Sequence, residues 1–438
     1  MNRYQRSQEY LERARKVIPG AAQTLSKMPA RFPQGAFPVA VSHGYGARIT
    51  DVDRNEYVDW IGALGAVPLG YCRTNVNASV LLMLGDGAAL SLPHEIEARL
   101  AERLCYKIPC AEMVRFVNSG SEATEAAIRT ARIATGRDII LTVKEGYHSW
   151  FSTFQAVKDW HPGIPEAYRL VIGGFKYNDL ASLEQVFDKA IWSFAKSSGA
   201  CNGEVAAVIM EPCLFEAPQP GFLEGVRELC TKHGTLLIFD EMVMGYRLAL
   251  AGGQEYFKVT PDLATYGKGM ANGLPIGMLC GKREYMQHAE LISGTFGGNA
   301  VSLAAANAVL DIYESEPVIK TMWKRGQELQ GWFNAQVRDY AVEAICDGYA
   351  CKPRFRFTYE TQELKDKAMS LFLQVTAEKG MLAHPGGLNV CYALTDDDMR
   401  VTCKAITEGL KEVQLAEYSN NWSMLKGNLI KPVVTVRQ

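Results

Sequence analysis

The chain contains no unbroken apolar run near the roughly 18 residues that span a bilayer, and no basic run of the kind that anchors a chain to a membrane surface. Its first residues, Met1-Asn2-Arg3-Tyr4-Gln5-Arg6, pass into charged sequence without the apolar core of a secretory signal. Charge of one sign is also missing. The formal net charge is -2 with acids and bases interspersed, so a general nucleic-acid surface is not expected. Eleven cysteines are scattered with no Cys-x-x-Cys pair and no histidine at zinc spacing. Reduced thiols in a cytoplasmic protein are expected, and no metal site. Internal repeats and low-complexity segments are absent. No Gly-x-Gly-x-x-Gly follows an early strand, which disfavours a dinucleotide fold.

What is present is ordinary globular composition, 48% hydrophobic and 21% charged, over 438 residues. That length exceeds one core, and predicts a large domain with at least one smaller one. Leu11, Ala14 and Val17 fall at helical spacing before Pro19-Gly20. Residues 47–59 read as two strands around a tight Asp-Arg-Asn turn. From about 95 to 311, short apolar runs alternate with amphipathic stretches: Met113–Val117, Ile139–Val143, Val205–Met210, 235–239 and 263–266. Runs of this kind suit strands buried on both faces, so the middle of the chain predicts a mainly parallel α/β sheet. Helical stretches near 323–337 and 363–378, with an alternating strand near 353–359, predict a smaller α+β domain.

Ligands of open α/β sheets bind beyond the carboxyl ends of the strands. Four motifs stand at such ends. Asn118-Ser119-Gly120-Ser121-Glu122 opens a helix whose free N–H groups suit a phosphate, although Ser119 and Glu122 also have the spacing of a capping box. Asp240 ends a buried run, where a carboxylate needs a cation or donor. A pyridinium N–H, a magnesium ion and Arg247 are all open as its partner. Lys268 lies between Gly267 and Gly269, with room for a ligand. A lysine so placed can form Schiff bases if burial lowers its pKa; the bland reading is a solvated loop. Tyr147-His148-Ser149-Trp150 offers an aromatic for a planar ring, with Trp150 read as a core aromatic and His148 as structural when taken alone. A fifth stretch, Ser293-Gly294-Thr295-Phe296-Gly297-Gly298-Asn299, opens another helix.

In this order, these motifs resemble the class III, fold-type-I aminotransferases, and among them the glutamate-1-semialdehyde aminomutase branch. The resemblance covers about residues 18–398, and is densest around Asp240-Glu241-Met242-Val243-Met244-Gly245-Tyr246-Arg247. It implies a large domain with a mainly parallel seven-stranded sheet between helices, and a smaller α+β domain drawn from the chain ends. The boundaries expected are an N-terminal segment 1–60, a large cofactor domain 61–312 and a C-terminal small domain 313–438. It implies pyridoxal 5'-phosphate, with pyridoxamine phosphate as intermediate form, and a homodimer with shared active sites. Lys268 matches the Schiff-base lysine, Asp240 the partner of the ring nitrogen, Met242 one face of the ring and Tyr147 the other. Ser119, Gly120 and Ser121 match the phosphate loop. Thr295 resembles the residue reaching the neighbouring subunit's phosphate, and His148 and Glu216 complete the cofactor set.

On the substrate side, Thr24, Lys27, Leu64 and Asn389 are expected. The aminomutases' carboxylate-binding arginine is Lys27 here, and their aromatic before Gly65 is Leu64. Lysine lacks arginine's bidentate fork. Gln23-Thr24-Leu25-Ser26-Lys27 and Gly163-Ile164-Pro165-Glu166-Ala167 resemble instead a branch that includes enzymes of surface-polysaccharide synthesis. The activity implied is transfer of an amino group from a donor to an oxo acceptor. An intramolecular aminomutase is the nearest alternative; a decarboxylase, a racemase and a non-catalytic binding protein are further ones.

Overall fold

A computed structural model describes residues 3–158, 162–188, 192, 196, 197, 199, 201–213 and 215–431. The chain forms two compact units, Asn75–Glu316 and a second one joining Met1–Thr74 to Pro317–Gln438.

In the second unit, helix α1 (Gln5–Val17) precedes β1 (Val41–Tyr45), β2 (Arg48–Asp51) and β3 (Glu56–Asp59). The last two are the strands expected around the Asp-Arg-Asn turn, where Arg54 has φ 70°. β1 is an addition; all but one of its residues are exposed, so no buried face marks it in the sequence.

The first unit begins with α2 (Thr74–Asp86) and α3 (Glu95–Lys107). β4 (Met113–Val117) then leads into α4 (Gly120–Thr135), and β5 (Ile139–Val143), β6 (Ile172–Phe175) and β7 (Val205–Met210) follow. After α5 (Phe222–His233) come β8 (Leu236–Asp240), β9 (Leu263–Gly267), β10 (Gly277–Gly281) and α6 (Ala300–Ser315). The seven strands lie in the order β4-β10-β9-β8-β7-β5-β6. β10 runs antiparallel to both its neighbours, and the other pairs are parallel. β5, β7, β8 and β9 are buried at every residue, which is why they read as continuous apolar runs rather than alternating ones. α4 lays Ala123, Ala127, Ile128 and Ala131 inward, and the three alanines let it lie close to the sheet. Ser119 caps its start and Gly136, at φ 65°, ends it.

The chain-end unit is completed by α7 (Val318–Asp339), the hairpin β11 (Ala344–Tyr349) and β12 (Lys352–Phe357), α8 (Gln362–Glu378), β13 (Met381–Leu382) and α9 (Asp396–Tyr418). β13 pairs parallel with β3, which ties the two ends of the chain into one sheet. Phe333, Phe355 and Phe372 form its aromatic centre, with ring centroids 4.4 to 5.8 Å apart. Among the described residues no helix is long and apolar enough to cross a membrane.

Candidate active site

Strand direction brings the motifs to one edge. Gly277, the first residue of β10, pairs with both Val117 and Gly267. The residues just beyond β4 and β9 therefore emerge together, and these are Asn118-Ser119-Gly120 and Lys268. Asp240 closes β8 opposite Thr265, two residues before Gly267 on β9. β5 delivers Tyr147 and His148 beyond its carboxyl end, and β7 delivers Glu211.

Close packing knits these loops. A Cβ on Gly267 would lie 2.5 Å from the Met242 sulfur and 2.9 Å from the Ile276 carbonyl oxygen; one on Gly120 would lie 2.9 Å from the same sulfur. Met242 thus touches both the lysine loop and the helix start. A Cβ on Gly277 would fall 2.2 Å from the Ser119 carbonyl oxygen. Lys268 itself holds φ 42°, in the left-handed region, a conformation that costs a non-glycine residue about 1 kcal/mol or more.

Asp240 is buried and surrounded by donors. His148 Nδ1 lies 2.7 Å from Oδ2, while the Met242 N–H at 3.1 Å and the Thr265 hydroxyl at 3.3 Å donate to Oδ1. Facing a carboxylate, Nδ1 carries a proton; that assignment follows from the bonding pattern. His148 Nε2 is buried and has no hydrogen-bond partner among the described residues. Burial pushes the Lys268 ammonium below the usual lysine range; the Glu211 and Asp240 charges pull it back up, and Arg247 adds to the lowering. Beside Asp240, burial pushes the Glu241 carboxyl up to about 8, although its oxygens accept from the N–H groups of Gly253 and Gln254, each at 2.9 Å.

At the start of α4 the Ser119 hydroxyl accepts from Glu122 N at 3.2 Å, but the Glu122 carboxylate turns to Asn118 N at 2.6 Å. The reciprocal half of the expected capping box is therefore absent. The N–H groups of Gly120 and Ser121 belong to the first turn, which has no acceptors within the helix.

Other expectations fare differently. Tyr147 is 60% exposed. Trp150 is 71% exposed and edge-on to Phe151, so its reading as a core aromatic is corrected: a solvent-facing loop carries it. Glu216 and Thr295 are exposed. Thr24, Lys27, Leu64 and Asn389 belong to the chain-end unit. There Thr24 and Lys27 are exposed, and the Lys27 charge acts on Asp59. Leu64, at φ 59°, sits in a left-handed turn from Gly62 to Gly65, and Asn389 Nδ2 donates to the Ile61 carbonyl at 2.8 Å. Sequence reasoning overlooked Glu211, Glu241 and Thr265. The signal for Glu211 was its place one residue beyond β7.

The grouping fits pyridoxal phosphate. An amine and a carboxylate stand at neighbouring strand ends, a helix start offers N–H groups, and glycines keep Cβ atoms out of the space around Met242. A hollow of about 750 Å3 flanks the start of α4, lined in part by Glu97, Asn118, Glu122, Glu125 and Arg129, but it includes neither Lys268 nor Asp240.

Residues 31–413 match the family model described as aminotransferase class-III. The chain is 34% identical over 420 residues to the 3-aminobutyryl-CoA aminotransferase of Cloacimonas acidaminovorans, covering 93% of this chain and 97% of that protein. It is 33% identical to glutamate-1-semialdehyde 2,1-aminomutase 2 of Brevibacillus brevis, covering 94% and 99%. Among solved structures it resembles the pyridoxal-phosphate internal aldimine form of the FumI protein of Sphingopyxis sp. MTA144, with a TM-score of 0.85, 29% identity and coverage of 94% and 98%. The chain therefore belongs to the class III aminotransferase family, pyridoxal-phosphate enzymes that transfer amino groups on the fold-type-I scaffold.

Proposed function

We propose that this enzyme takes an amino group from a separate amino donor and gives it to an oxo acceptor, using Lys268 as cofactor-bearing lysine and Asp240 as partner of the cofactor's ring nitrogen. The observation that carries this reading is the strand register. Asp240 pairs with Thr265, three residues before Lys268 on the strand that leads into it, and the Asp240 charge acts on the Lys268 ammonium. Ser119, Gly120 and Ser121 would hold the phosphate, Met242 one ring face, and Tyr147 the other.

The bound cofactor supplies a sink for the electron pair left when the substrate carbon gives up its proton. The residues do the rest. Lys268 Nζ would take up that proton and give it back, a task that its lowered pKa suits. Asp240, fixed by His148, Thr265 and the Met242 N–H, would keep the ring nitrogen protonated.

An exposed apolar face supports a homodimer with shared sites. Only Val76 of α2 is buried, while Leu81, Leu82 and Leu84 are 51–75% exposed. Leu90, Leu92, Leu291 and Phe296 extend the exposed apolar set, and Thr295 adjoins Phe296. A soluble monomer rarely leaves so much apolar surface uncovered. None of the eleven cysteines is in a disulfide, in keeping with a reducing, cytoplasmic setting.

Lys27 and Leu64, at positions where the aminomutases carry arginine and an aromatic, favour an acceptor other than glutamate-1-semialdehyde. Steady-state turnover over a panel of oxo-compounds, with and without added amino donors, tests the reading. Strict dependence on a separate donor is expected. Turnover of a single amino-oxo substrate with no donor overturns it in favour of an aminomutase.

A further inference from the structure

The loop that carries Tyr147 and His148 leaves the sheet early. Lys144 N donates to the Phe175 carbonyl at 2.9 Å, but β6 ends at Phe175, so the strand pairing of β5 with β6 does not extend to the carbonyls beyond. Such groups need other donors. Thr124 Oγ1, from α4, donates to the His148 carbonyl at 3.1 Å, and Gln155 Nε2 donates to that of Ser149. Lys158 serves the near side of the loop. Its Nζ donates to the carbonyls of both Lys144 and Gly146, the latter at 2.6 Å.

The backbone presenting Lys158 is itself seated. A Cβ on Gly174 would lie 2.8 Å from Val157 Cγ2 and 2.6 Å from Lys144 Cγ, so the bare glycine in β6 receives both side chains. Lys158 N also donates to the Gln155 carbonyl at 3.0 Å.

We infer that Lys158 is a positioning residue for the amino-transfer site: its ammonium bridges two loop carbonyls and so fixes Tyr147 and His148 relative to the cofactor. This rests on the proposed roles of Tyr147 and Asp240. An ammonium suits the task because it carries three rotatable donors and no acceptor. Bonds from a charged donor are roughly twice as strong as neutral ones. Half-burial lowers the Lys158 pKa, while the Glu145 and Glu211 carboxylates raise it and favour the charged form. Glu211 also acts on Lys268. One carboxylate thus lies within the field of both lysines.

The test compares the wild-type enzyme with Lys158→Met, Lys158→Arg and, as a surface control, Lys232→Met. Three quantities are measured: the dissociation constant for pyridoxal phosphate, visible circular dichroism per bound cofactor, and Tm. Lys158→Met is expected to raise the dissociation constant about tenfold or more and to weaken the dichroism. Lys158→Arg restores most of both, and Lys232→Met matches wild type. If Lys158→Met does not fold, Lys158→Gln is measured in its place, with the same changes at smaller size expected. A Met or Gln variant with wild-type affinity and dichroism, or one that loses only Tm, overturns the inference. Wild-type protein that binds no pyridoxal phosphate overturns the proposed function as well.

Discussion

His148 Nδ1 stands 2.7 Å from Asp240 Oδ2, with both side chains almost wholly enclosed at 1% and 2% exposure. The two residues are 92 positions apart and come from the ends of different strands. Replacing His148 with Phe leaves a buried carboxylate oxygen without its donor, a loss of about 1–3 kcal/mol. A fall in Tm of several degrees is expected, together with weaker cofactor retention on dialysis. A His148→Phe protein that keeps wild-type Tm and cofactor content shows the contact to be idle.

Glu211 raises the Lys268 pKa against the effect of burial. Removing that carboxylate lets the pKa fall, so the neutral amine appears at lower pH. In cofactor-stripped Glu211→Gln, the pH profile for the rate of pyridoxal-phosphate addition shifts toward acid relative to wild type. An unmoved profile, or one shifted toward alkali, contradicts the electrostatic assignment.

Gly277 pairs with two strand ends at once and has the Ser119 carbonyl oxygen where a Cβ would stand, 2.2 Å away. Backbone cannot step aside as a flexible side chain does. Gly277→Ala is expected to cost about 1–3 kcal/mol and to displace the start of α4. Denaturant unfolding gives the first effect. Loss of affinity for inorganic phosphate in the cofactor-stripped enzyme gives the second, and an unchanged affinity removes Ser119-Gly120-Ser121 from the phosphate site.

His384 makes the chain-end unit acid-sensitive. Its Nδ1 accepts from Gly386 N at 2.9 Å and its Nε2 faces the Ser26 carbonyl at 3.0 Å, so the ring is held neutral. Burial pushes its pKa down to about 4. The unfolded chain binds a proton first as pH falls, so stability from this site is present above about 6.5 and is lost between there and about 4. The loss is at most roughly 3 kcal/mol. Tm measured from pH 7 to pH 4.5 is expected to fall less steeply in His384→Gln than in wild type; parallel curves refute this.

The fold was legible where burial is uniform. β5, β7 and β8 lie inside the sheet, and water on neither face leaves an unbroken apolar run. β6 and β10 carried weaker signals. Gly173 and Gly174 occupy half of β6 because Trp192, Lys144 and Val157 press against them, and that pressure lies outside any local pattern. The reversed direction of β10 is a property of pairing, invisible in its own five residues. The placing of Asp240 at the end of β8 and of Lys268 just beyond β9 could be read because each closes or follows an apolar run. The bond from His148 to Asp240 and the reach of Lys158 Nζ to the Lys144 and Gly146 carbonyls could not be read, since only the folded sheet brings those groups together.

Lys268 as carrier of the cofactor is the claim on which the rest depends. Borohydride reduction of the purified, cofactor-loaded protein makes any lysine–cofactor linkage permanent, and peptide mass spectrometry then locates it. The account predicts a single modified peptide with the pyridoxyl group on Lys268. The same label on another lysine, or loaded protein that yields no labelled peptide, contradicts it.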